Sequence, residues 1–185
     1  MTTLETLLRD PDAAGAWALV PDRSTITFKI RNMWGLVNVK GKWTEFSAAG
    51  ELADGGAVSG RVDIRVASID TGIRRRDKHL LSADFFDAER FPQISVEVTG
   101  LQPTAGRGAD LQARFTIKGN TESVAFPVTV TEFDDGSVRI AGEGQLDRAK
   151  FGVNWNKAGM VSETAKVAAE LIFEPAGARE PSTYQ

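Results

Sequence analysis

SIDTGIRRRDKHLLSADFFDAERFPQI, residues 68–94, is the one long break in a chain that otherwise alternates apolar and polar residues. It holds the sole histidine, His79, a basic run of Arg74, Arg75, Arg76 and Lys78, and the aromatic residues Phe85, Phe86 and Phe91. Asp70 or Thr71 is placed to cap a short helix on which Ile73, Leu80 and Leu81 share one face. Asp77 falls on that face too, and its carboxylate needs a partner there. Ser82 and Asp84 are candidate caps for a second turn carrying the phenylalanines. The spacing predicts a helical crossover over about 70–90, with an apolar underside and a cationic rim.

Outward from this stretch the period is two. Before it, Ile26, Phe28 and Ile30 alternate with Thr25, Thr27 and Lys29. Val37, Val39 and Trp43 alternate with Asn38, Lys40 and Lys42, and Phe46 extends that run. Val62, Ile64 and Val66 alternate with Arg61, Asp63 and Arg65. After it, Ile94, Val96 and Val98 are followed by Leu111 to Ile117, Val124 to Val130, a glycine-marked strand through Gly142 and Gly144, and a last strand from Lys166 to Phe173. Each strand has one apolar and one polar face, the pattern of antiparallel sheet with one side in water. A two-sheet sandwich and a closed barrel both satisfy it. Strands as long as these favour the barrel, and about eight of them enclose room for one small ligand. Residues 1–15 read as a helix and linker, with Leu4, Leu7 and Leu8 on one side. Residues 16–175 form the domain, and 176–185 a flexible tail.

Composition narrows the function. The chain of 185 residues carries a net charge of -3, which speaks against nonspecific nucleic-acid binding. It has no cysteine, so thiol catalysis, thiolate metal sites and disulfides are excluded. One histidine does not make a His-rich metal site, and no cofactor is expected. No stretch is long and apolar enough to span a bilayer as a helix. The first residues, MTTLETLLRDPDAAGAW, do not read as a secretory signal, so a cytoplasmic protein is expected.

Catalytic signals are weak. Asp77 and His79 are two residues apart and do not face each other on a helix. No serine sits in a nucleophile elbow, and Gly142-Glu143-Gly144 lacks the strand–turn–helix context of a phosphate loop. The arginines from Arg74 to Arg76 suit an anionic head group, but a solvated helix face explains Arg74 and Arg75 equally well. Phe85, Phe86 and Phe91, like Phe151 and Trp155, read by default as core.

The chain resembles the YceI family of lipocalin-like, polyisoprenoid-binding proteins. The likeness begins at WALVPDRSTITFKI (Trp17 to Ile30) and continues through VKGKWTEFSAAGEL (Val39 to Leu52). Its most specific part falls on Arg76, Asp77, His79, Leu80, Ser82, Asp84, Phe85, Phe86 and Asp87, and it closes with LDRAKFGVNW (Leu146 to Trp155). The resemblance implies an all-β, extended eight-stranded antiparallel lipocalin-like barrel with the helical crossover capping it. It also implies a long isoprenoid or similar lipid in the cavity, and a homodimer. The chain departs from the family's pattern at Arg23 and Asn32, where relatives often carry histidine, and at Trp43, where phenylalanine is usual. On this reading Phe28, Ile30, Ile64, Val96, Phe115 and Phe126 line the cavity. Met33, Trp34, Phe86, Phe91 and Phe151 sit near its ends, and Arg76 and His79 touch the ligand's head group. The expected activity is non-catalytic carriage, storage or sensing of an amphiphilic lipid. The rivals are an enzyme acting on such a lipid, with His79 or Asp77 as acid or base, and an interaction module with a filled barrel.

Overall fold

The computed structural model describes residues 3–177. Its first element, α1 (Leu4–Leu8), is capped by Thr3, whose hydroxyl accepts from the Thr6 N–H, and carries a Glu5–Arg9 ion pair at 3.0 Å. Leu4 and Leu8 are buried on its inner side. Eleven strands follow: β1 (Gly15–Leu19), β2 (Thr25–Asn32), β3 (Val37–Trp43), β4 (Phe46–Leu52), β5 (Val58–Arg65), β6 (Ile69–Asp70), β7 (Gln93–Pro103), β8 (Gly108–Ile117), β9 (Asn120–Glu132), β10 (Val138–Asp147) and β11 (Thr164–Pro175). A second helix, α2 (Arg74–Leu81), lies between β6 and β7.

All the pairings are antiparallel, and they close. The order β4-β5-β7-β8-β9-β10-β11 is completed because β11 pairs with β1, and β1 with β4. β11 also pairs with β2 further along, and β2 with β3. Thus β1 and β2 act as one broken wall strand and β3 and β4 as another, giving a closed eight-stranded barrel. The break between β1 and β2 is at Pro21, which has no N–H to give to a ladder. Ser24 repairs the ladder there. Its hydroxyl donates to the Val20 carbonyl at 2.8 Å and accepts from the Ile172 N–H at 2.9 Å.

β4 is a strand in its own right, where the sequence suggested only an extension of β3. Its inward positions, Phe46, Ala48, Gly50 and Leu52, include small residues with little strand preference, so the alternation is faint. The termini of the wall are also longer than expected, with β11 running from Thr164 to Pro175. Of the tail expected at 176–185, residues 178–185 lie outside the described residues.

The crossover forms where the spacing places it. It leaves β5, adds β6 to the free side of β3, and returns beside β5 as β7. The cap of α2 differs from expectation. Its N-cap is Ile73, with no side-chain cap bond. Gly72, at φ 81°, turns the chain so that Asp70 and Thr71 precede the helix. Asp77 supplies the bond instead, accepting from the Thr71 N–H at 3.0 Å and from its hydroxyl. That is the partner its place on the helix required. Phe85 is buried, and Leu80, Leu81 and Phe86 pack half-buried against the core with it.

Candidate functional site

The barrel is hollow. An apolar cavity of ≈ 230 Å³ runs inside it. Val138 and Leu146, both on β10, line it, which corresponds to ~26 Å along the strand and on the order of 20 Å along a tilted barrel axis. One end is closed by Leu4 and Leu8 of α1 with Leu101, Val130 and Val138. The other is bounded by Ile26, Trp43, Ile117 and Leu146, with the aromatic floor of the crossover behind Trp43.

Small inward residues make the space. Gly50 on β4 is the cross-strand partner of Gly60 on β5, and Gly142 on β10 is the partner of Ala169 on β11. All four line the cavity. These two cross-strand pairs give the wall little side chain of its own there. Gly142 is also held to glycine by crowding, since a Cβ there would lie 2.7 Å from Val128 Cγ1.

Ile64, Val96, Phe115 and Phe126 are placed on this cavity. The other residues expected at the site are not. Phe28 lies across its partner Gly41, where a Cβ would come within 2.4 Å of the ring, and its ring centroid is 4.8 Å from that of Trp43. Glycine draws the ring over itself, so Phe28 backs the wall. Ile30 is half-buried beyond the cavity's end. Met33 and Trp34 are exposed at the tip of the β2–β3 hairpin. Phe86 meets Trp43 edge to face at 6.1 Å, Phe91 lies beneath the Arg90 guanidinium, and Phe151 is buried in the core below.

Arg76 and His79 also sit away from the cavity. Arg76 donates to the Thr71 hydroxyl at 2.8 Å and to its carbonyl at 2.7 Å. The His79 ring lies 2.8 Å from Asp84 and packs edge-on against Phe85 and Trp155 at 5.1 and 4.8 Å. Both tie the crossover together. Among the described residues no group of three His, Cys, Asp or Glu is placed to hold a metal ion.

Two features escaped the sequence reading. Trp43 is buried against the cavity, and its indole N–H has no hydrogen-bond partner. A buried donor left unpaired costs about 1–3 kcal/mol. Its only sequence signal was a tryptophan where a phenylalanine was expected. The second is Arg148, a buried guanidinium that donates to the carbonyls of Ser162 at 2.8 Å and Val153 at 2.7 Å. It fastens the loop between β10 and β11 beneath the barrel. Burial lowers its pKa, opposed by the charges of Glu163 and Asp147.

A closed eight-stranded antiparallel barrel around one apolar hollow is the plan of the lipocalin-like binding barrels. More narrowly, the chain belongs to the YceI-like domain family, whose model matches residues 17–173. A UPF0312 protein of Staphylococcus aureus (strain bovine RF122 / ET3-1) is 32% identical over 143 residues, 73% of this chain and 80% of that one. Among solved structures, BcnA of Burkholderia cenocepacia is similar at a TM-score of 0.77 and 25% identity, over 83% of this chain and 98% of its own. A polyisoprenoid binding domain from Saccharophagus degradans, implicated in plant cell wall breakdown, shares the fold at a TM-score of 0.71 and 15% identity, over 87% of this chain and 99% of its own.

Proposed function

We propose that the chain holds one long apolar lipid, of the isoprenoid class, in the barrel for carriage, storage or sensing, without chemistry on it. The observation that carries this is the narrow hydrocarbon-walled cavity, kept open by opposed small residues. A chain burying about 300 Å² of apolar surface there would gain roughly 7 kcal/mol before ordering costs, so affinity needs few polar contacts. An unpaired donor on the cavity lining, the Trp43 N–H, suits an oxygen on the cargo. The polyisoprenoid-binding neighbour supports the ligand class.

The enzymatic alternative is disfavoured by placement. Asp77 is engaged by Thr71, and His79 is paired with Asp84 outside the cavity. The test is organic extraction of the purified protein followed by mass spectrometry, with uptake of added isoprenoids by the stripped protein. Recovery of an apolar lipid, or saturable uptake, is expected. His79→Ala should keep its cargo. Failure of both recovery and uptake would overturn the proposal.

A further inference from the structure

The tip of the β2–β3 hairpin is built against the usual rules for a soluble surface. Met33 and Trp34 occupy the two central turn positions with φ of 51° and 54°, where Asn-Gly is the unstrained choice. The Asn32 side chain holds the turn by accepting from the Met33 N–H at 2.7 Å. The turn presents its apolar residues to solvent. Trp34 is 68% exposed, Leu36 83%, Met33 46% and Val37 40%. They are four of the five large apolar residues the described surface exposes, and all lie at one hairpin end, within residues 33–37.

The shaft behind the tip is cationic. Lys29, Arg31, Lys40 and Lys42 are exposed on the outward face of β2 and β3, and none is in an ion pair with another described residue. From Thr25 to Trp43 there is no Asp or Glu, in a chain whose net charge is -3. Lys29 and Lys40 are direct cross-strand partners, a like-charged pairing that works against the hairpin's own stability. On its other side Lys29 faces Lys166, whose charge is met by Glu143. Asp70 is the acid nearest in register, opposite Lys42.

We propose that this hairpin docks the protein on an anionic lipid surface, with Met33, Trp34 and Leu36 in the interface and the four cations against the head-group phosphates. Charge complementarity selects this occupant. An apolar tip backed by a cationic shaft is the footprint of peripheral binding to acidic bilayers, and an aromatic–aliphatic tip suits the head-group level. A second copy of this chain would bring four more cations to the same contact. Docking does not require a filled cavity, so it stands apart from the cargo reading.

The test uses the whole protein, with vesicles of phosphatidylcholine alone or mixed with phosphatidylglycerol. Flotation with the mixed vesicles only, lost at high salt, is expected. Lys29→Gln with Lys40→Gln should weaken vesicle binding about 25-fold, at about fivefold per charge. Trp34→Ser with Leu36→Ser should abolish it and leave thermal unfolding unchanged, since both side chains are exposed. Absence of flotation, or binding that ignores the tip substitutions, would overturn the proposal. So would loss of a dimer on light scattering in the tip variant without any vesicle binding, which would make the tip a contact between copies.

Discussion

Filling the hollow is the sharpest perturbation available. Ala169 lines the cavity and lies between Gly142 and Ile26 in the ladder. Ala169→Leu adds three carbons to that space. At about 0.8 kcal/mol for each buried carbon, the free protein should gain up to about 2 kcal/mol, or roughly 4–8 °C in Tm. The same atoms occupy the path of the cargo, so affinity for an apolar chain should drop at least about tenfold, equivalent to ~1.4 kcal/mol. Urea unfolding of the stripped protein reads the first effect, through a higher midpoint at unchanged slope. Titration with a fluorescent apolar probe reads the second. The two results must have opposite signs. A loss of stability of 1–3 kcal/mol is what overpacking a solid core produces, and would refute the hollow. Unchanged probe affinity would place the ligand elsewhere.

Three further outcomes are expected. Trp43→Phe removes the unpaired donor with part of a ring, so the free protein should change by no more than about 1 kcal/mol, while affinity for an oxygen-bearing isoprenoid falls about fivefold and that for the matching hydrocarbon stays put. Equal affinities in competitive titration would assign the indole N–H to the ring face of Phe86. Arg148→Met strands the carbonyls of Ser162 and Val153 and should cost about 3–5 kcal/mol in urea unfolding. Ser137→Ala acts through pH. The Ser137 hydroxyl and N–H donate to Asp135, helped by Arg23, and hold its carboxyl below the usual range. A lowered carboxyl stabilises the fold above the unfolded-state pKa and loses that contribution as pH falls through the folded one. The wild type should therefore exceed the variant in urea midpoint at neutral pH, the gap closing in acid, and the Asp135 carboxyl should titrate higher in the variant by NMR.

The wall was legible because one face of each strand sees water. Ile26, Val62, Val96 and Phe115 announced their direction by alternation alone. So did the crossover, whose leucines and phenylalanines changed period. Closure and emptiness were not legible. Both depend on which residue sits opposite which, and Gly50 with Gly60 becomes a hollow only once register is known. Phe28 carries the same pattern as Ile26, yet Gly41 opposite captures its ring. Arg76 and His79 looked like head-group contacts because they lay beside an aromatic stretch. Nothing local revealed that Thr71 and Asp84 already engaged them. The N-terminal leucines gave a helix face, but not what it would cover.

That cover has a kinetic consequence. α1 lies before the region shared with the family, and among the described residues its backbone joins the barrel through one bond, from the Leu4 N–H to the Gly106 carbonyl at 3.5 Å. Leu4 and Leu8 are seated in one cluster with Leu52, Leu101 and Val130, and Leu7 packs against it. Detaching so short a segment disturbs none of the strand ladders, and openings of this size lie at the low end of a protein's local free energies. Turnover of the occupant would then be timed by an N-terminal cork coming loose, while the staves stay bound.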